Sequence, residues 1–118
     1  MRMHTIVLAF LLVLLGPVAG RAHAFLDHAS PLVGSTITAA PHEVSLWFTQ
    51  NLEHAFSSVQ VTDAKGARVD QGKPQISGNT MRVGVKQLAP GSYRVRWHVL
   101  SVDTHKTEGN FSFRVDVP

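Results

Sequence analysis

The sequence contains no cysteine, and that absence closes several classes at once. Blue-copper electron transfer needs a thiolate ligand, as do iron–sulfur clusters and thiol redox chemistry. Small exported domains are often stapled by disulfides, so this one must be held by its core alone. Surplus charge is missing too. Arg2 and Arg21, two of 11 basic residues against 8 acidic ones, fall in the leader described below, and the remainder is nearly neutral. With no basic run, nucleic acid is not an expected partner. There is no P-loop, GxSxG, HExxH or dinucleotide fingerprint, and no repeat, low-complexity run or linker.

Long apolar runs are also absent, save one. "MRMHT" followed by "IVLAFLLVLL" and ended by Gly16, Pro17 and Gly20 reads as a secretory signal peptide over residues 1–22. Ile6 to Ala19 is too short, at 14 residues, for the roughly 20 that a spanning helix requires. Residues 23–118 are then one small exported domain. Spacing leaves the cut itself open. Gly20 and Ala22 suit cleavage before His23, while Ala22 and Ala24 suit cleavage before Phe25 equally well.

What remains alternates at period two. "EVSLWFTQ" sets Val44, Leu46 and Phe48 on one face, "SVQVTD" Val59 and Val61, and "TMRVGVK" Met81, Val83 and Val85. In "SYRVRWHVL", Tyr93, Val95, Trp97 and Val99 face one way and Arg94, Arg96 and His98 the other. "NFSFRVDV" closes with Phe111, Phe113, Val115 and Val117. "DAKG", "SGN" and "APG" mark turns between these runs. One-sided strands with short connections imply two antiparallel sheets covering each other's apolar faces. The expected fold is all-β, a Greek-key sandwich or barrel of about seven strands, cupredoxin-like or immunoglobulin-like. "SPLVGSTITAAPHE" is expected to cross from the N-terminal strand to the next.

The candidate chemistry lies in "SVDTHKTEG", residues 101–109, between the last two strong strands. Asp103 and His105 are two apart, so in extended chain their side chains leave on the same side and can converge on one ion. If the working chain begins at His23, a free amine and an imidazole on one residue add a chelate. Three nitrogens and one oxygen suit Cu(II), at the top of the affinity order; Zn(II) ranks second and the hard cations last. His28, His42, His54 and His98 carry no assignment. Ser101, Asp103 and His105 are the types of a nucleophilic triad, but sit too close in one loop to align as nucleophile, base and orienter.

The order "HAFL...SP..GS", "PHEVSLWFTQNL" and "APGSYRVRWHVLSVDTHKTEGNFSFRV" resembles the CopC family of exported copper-binding proteins across residues 23–118. The resemblance implies a periplasmic protein, not an enzyme, binding one Cu(II) through His23, Asp103 and His105. It also implies a cut before His23, and hand-over to an inner-membrane copper transport protein of the CopD type. A monomer is expected. Some members hold Cu(I) in a Met-rich segment; Met81 is the only methionine after residue 22, so no such site is expected. The family's usual Asp-Gly-His-Pro reads "DTHK" here, with Thr104 and Lys106, and its Phe-Ser-Glu reads "FTQ", ending in Gln50. Two alternatives stand beside this reading. One is a metal-free immunoglobulin-like interaction domain. The other is a copper-dependent oxidative enzyme, against which Asp103 would fill a position that oxygen needs.

Overall fold

A computed structural model describes residues 24–117 as eight strands in two four-stranded sheets. In chain order they are β1 (Leu26–Ser30), β2 (Thr36–Ile37), β3 (Glu43–Phe48), β4 (Ser58–Asp63), β5 (Asp70–Ser77), β6 (Thr80–Val85), β7 (Gly91–Leu100) and β8 (Lys106–Val115). One sheet runs β1-β3-β6-β5 and the other β2-β8-β7-β4. Every pair is antiparallel except β2 with β8. The expected all-β Greek-key sandwich is therefore present, with one strand more than anticipated. The leader expected over residues 1–22, and His23 with it, lie outside the described residues. Among the described residues no helix is long and apolar enough to cross a membrane.

The alternation in β7 is realised residue by residue. Tyr93, Val95, Trp97 and Val99 are buried, and Arg94, Arg96 and His98 are exposed. Strand β8 repeats this with Phe111, Phe113 and Val115. From the other sheet Val44, Leu46, Phe48, Met81 and Val83 meet them. Phe48 and Trp97 join the sheets edge to face, with centroids 5.1 Å apart and planes at 75°. Strand β3 is less one-sided than its sequence suggests: Ser45 is also buried and Trp47 half-buried.

Two of the eight strands lie in segments that the alternation does not mark. Strand β2 is two residues long and lies within the segment read as a crossing. Strand β5, "DQGKPQIS", contains Gly72 and Pro74, which ordinarily argue against a strand. It is tolerated because β5 is an edge strand whose register shifts between Gln71 and Gln75, with Gly72 at φ +73°. The three turn signals all fall between strands. At the first, Asp63 Oδ1 accepts from the N–H groups of Lys65 and Ala67, both at 2.9 Å.

One connection prepares the candidate site. The stretch from Thr49 to Glu53 crosses between the sheets at the end where β7 stops. Leu52 N–H donates to the Gly78 carbonyl and Glu53 N–H to the Leu100 carbonyl. Val102 N–H returns a bond to the Asn51 carbonyl at 3.0 Å, so the hairpin after β7 is tied to both sheets.

Candidate metal centre

Leu100 pairs with Lys106, so the loop between β7 and β8 is only residues 101–105, shorter than the 101–109 read from sequence. Ser101, fully buried, is its hub. Its N–H donates to the His105 carbonyl at 3.0 Å, and its carbonyl accepts from Thr104 N–H at 2.9 Å. The Ser101 hydroxyl donates a short hydrogen bond to Asp103 Oδ1, and His105 N–H donates to Ser101 Oγ at 3.4 Å. Thr104 turns the chain with φ +71°, in the left-handed region that a β-branched residue rarely enters.

This turn brings Asp103 and His105 together. Asp103 Oδ1 lies 3.4 Å from His105 Nδ1. The expected convergence is present, but its cause differs: the chain is turned at Thr104 rather than extended. Two ligands held about 2.0–2.2 Å from one divalent ion lie about 2.9 Å apart at a right angle and about 3.3 Å apart at a tetrahedral one. The observed separation is within a few tenths of an ångström of that bite. The Ser101 hydroxyl, and behind it the His105 imidazole, hold the Asp103 carboxyl below its ordinary range against the opposing effect of burial. Asp103 is therefore favoured in its anionic form.

The same geometry disposes of a nucleophilic triad. Ser101 Oγ is buried and bonded to Asp103, and Asp103 stands between it and His105. The order is hydroxyl, carboxylate, imidazole, not the hydroxyl, imidazole, carboxylate order of a triad.

The third feature lies at the other end of the described residues. Thr107 Oγ1, two residues past His105, donates to the Ala24 carbonyl at 2.6 Å. Ala24 is fully buried. Phe25 then exchanges bonds with Thr49: Phe25 N–H to Thr49 Oγ1 and Thr49 N–H to the Phe25 carbonyl, each 2.9 Å. The described chain thus begins pinned beside the Asp103–His105 loop. Sequence reasoning missed Thr107 entirely and weighed Ser101 only as a nucleophile. Ser-x-Asp-x-His spacing was the one signal for Ser101, and nothing local signalled Thr107.

The remaining histidines are engaged elsewhere or stand apart. His28 stacks on Trp47, with ring centroids 4.4 Å apart and planes at 8°, and its Nδ1 lies 2.7 Å from Asp27 Oδ2. His98 Nδ1 lies 3.2 Å from Glu108 Oε2 across the β7–β8 pair. His54 opens a three-residue 3-10 turn ending at Phe56, and His42 is exposed. Among the described residues no three His, Cys, Asp or Glu side chains gather as a metal-binding group. Asp103 and His105 stand as a pair, with no third His, Cys, Asp or Glu of the described residues beside them.

Fold and loop together define a class: a small Greek-key β-sandwich whose last hairpin brings a carboxylate and an imidazole together near Ala24, the first described residue. Comparison with known proteins narrows it. Residues 26–116 match the CopC domain, and the chain belongs to the CopC family. It is 36% identical over 98 residues to "Protein YobA" of Escherichia coli strain K12, covering 80% of this chain and 79% of that protein. It is 32% identical over 103 residues to "Copper resistance protein C" of Xanthomonas campestris pv. juglandis, covering 80% of each. The crystal structure of CopC from Methylosinus trichosporium OB3b superposes with a TM-score of 0.75 at 35% identity, covering 80% of this chain and 95% of that one.

Proposed function

We propose that the chain is an exported carrier or buffer of Cu(II), binding one ion through the amine and imidazole of His23 together with Asp103 and His105. The observation that carries the reading is the Thr107–Ala24 hydrogen bond. A chain held at the Ala24 carbonyl delivers the preceding residue within one peptide length, about 3.8 Å between Cα atoms, of a fixed point beside the loop. If that residue is the mature N-terminus, two nitrogen donors join a carboxylate and an imidazole already spaced for one ion. Such a nitrogen-rich set with one oxygen suits Cu(II). Copper is cargo here rather than a catalytic group: Asp103 closes a position that oxygen chemistry would need. Copper resistance is also what the name of the Xanthomonas relative states. Export places the carrier in the periplasm, where an inner-membrane copper transport protein is the partner for hand-over.

Binding requires a neutral amine, with an ordinary pKa of about 7.7–8.0, and neutral imidazoles, ordinarily near 6.5. Copper affinity therefore falls as pH drops, with protons released on binding. The deciding experiment is the intact mass of the exported protein followed by a Cu(II) titration. A mass beginning at His23, one equivalent of copper bound, and loss of binding in Asp103→Ala/His105→Ala is the expected result. A mass beginning at Phe25, or an affinity unchanged down to pH 5, would refute the ligand set.

A further inference from the structure

The outer face of the β2-β8-β7-β4 sheet gathers three arginines. Arg94 and Arg96 are two apart on β7, so they leave the same face with Cα atoms about 7 Å apart. Arg114 on β8 pairs with Ser92 and directs Nη1 to the Ser92 hydroxyl at 3.2 Å. Arg94 pairs with Ser112, which makes Arg114 its diagonal neighbour, roughly 7–8 Å away. The other strand partners of Arg94 and Arg96 are neutral: Thr62, Gln60 and Asn110. Among the described residues neither the Arg94 nor the Arg96 guanidinium has an ion-pair or hydrogen-bond partner.

Three cations this close repel one another, and this protein satisfies such a group elsewhere, as Arg68 with Asp70 at 2.7 Å shows. Two carboxylates near this face already have partners, and neither is paired with an arginine. Glu108 sits with His98 at 3.2 Å, and Asp63 Oδ1 caps its own turn. Between the strands lies a shallow cleft of about 400 Å³ lined by Arg94, Arg96, Asp63 and the hydroxyl-bearing Thr62, Ser92 and Ser112. Guanidinium and hydroxyl donors together are the donor set for phosphate oxygens. The charges are spread over two strands of an open face, which suits a plane of separate phosphates rather than one enclosed anion.

We propose that this arginine face docks the protein on an anionic phospholipid surface through its headgroup phosphates. The docking is independent of copper binding and uses none of the candidate ligands. The test is sedimentation of the exported protein with vesicles of phosphatidylcholine alone, and of equal parts phosphatidylcholine and phosphatidylglycerol. Binding is expected only to the mixed vesicles, and is released by salt because surface charges are screened. Arg94→Gln, Arg96→Gln and Arg114→Gln each weaken partitioning about fivefold, and the triple variant roughly a hundredfold. The triple lysine variant keeps binding, because a charged plane does not require bidentate geometry. All three positions are solvent-exposed, so the thermal melt of each variant matches the parent and separates lost docking from lost folding. Equal binding to pure phosphatidylcholine overturns the proposal, as does a triple glutamine variant that still binds. So does a lysine variant that fails as the glutamine one does. Inorganic phosphate perturbing the amide resonances of Arg94, Arg96 and Arg114 without vesicle binding would mark a small-anion site instead, and overturn it equally.

Discussion

Thr107 Oγ1 donates a 2.6 Å hydrogen bond to the carbonyl oxygen of Ala24, joining residues 83 positions apart in sequence. The bond fixes where the described chain begins relative to the Asp103–His105 loop, and its removal separates preorganisation from ligand chemistry. Thr107→Val keeps the shape and deletes the donor. It is expected to cost about 1 kcal/mol of stability and to weaken Cu(II) binding by about three- to tenfold, because the proposed donors of His23 would then have to be ordered on binding. Thr107→Ser should restore most of the affinity. Competition against a chelator of known copper affinity reads both. An unchanged affinity in the valine variant would show that the anchor contributes nothing to the site.

Thr104 makes a second prediction, on the backbone. Its φ of +71° lies where glycine is favoured, and its hydroxyl donates to the Asp103 carbonyl at 2.5 Å. The CopC pattern usually places glycine here, so this chain asks a β-branched residue to hold a glycine conformation. Such strain costs about 1–3 kcal/mol, while the lost hydroxyl bond is worth about 1 kcal/mol and glycine adds entropy to the unfolded chain. Thr104→Gly is expected to raise stability by up to about 1 kcal/mol, whereas Thr104→Val, with the same branching and no hydroxyl, lowers it. Urea unfolding of the metal-free protein compares them. A glycine variant less stable than the valine one contradicts the account.

Much of this fold is legible in the sequence because each sheet has one wet face. Alternation in "YRVRWHV" is the direct trace of that condition, and β7 follows it throughout. Strand β5 was illegible because an edge strand with a register shift tolerates Gly72 and Pro74, which a central strand would not. The site divides in the same way. Asp103 and His105 are readable as a donor pair from spacing, yet they meet through a turn at Thr104 that no periodicity encodes. The role of Ser101 depends on burial, and the Thr107–Ala24 bond on tertiary folding between residues 83 positions apart. Ser101 leaves only its Ser-x-Asp-x-His spacing as a trace, and Thr107 leaves none.

Asp70 links the edge of one sheet to the other and sets a dependence on acid. Its Oδ1 accepts from Val61 N–H at 2.8 Å and Arg68 Nε at 3.2 Å, and its Oδ2 from Arg68 Nη2 at 2.7 Å. Burial alone would raise the Asp70 carboxyl; the Arg68 fork and the Val61 amide outweigh it and hold it below its ordinary range. A carboxyl depressed in the folded state stabilises above its unfolded pKa, about 3.9, and loses that contribution as pH falls through the folded value. Asp70→Asn keeps an acceptor for Val61 but loses the ion pair, and is expected to cost about 1–2 kcal/mol at neutral pH. The gap between the thermal melts of parent and variant should begin to close only below about pH 4 and vanish once the folded carboxyl is protonated. A gap that stays constant with pH would assign the loss to packing alone.

Gly109 is the last position where the sandwich leaves no room. It pairs with Trp97, and a Cβ built on it would meet the indole Cζ2 at 2.5 Å and Cε2 at 2.9 Å. The ring cannot easily give way: Trp97 is buried and packs edge to face on Phe48 from the opposite sheet. Gly109→Ala is therefore expected to cost about 1–3 kcal/mol through overpacking, lowering the melting temperature by about 4–8 °C per kcal/mol in a domain of this size. Because the displaced group is an indole, its fluorescence should shift with the loss. Phe48→Leu in the same background frees volume behind the ring and should recover part of the stability, since contacting residues couple. An alanine variant with parental melting temperature and emission would mean that the indole relaxes without cost.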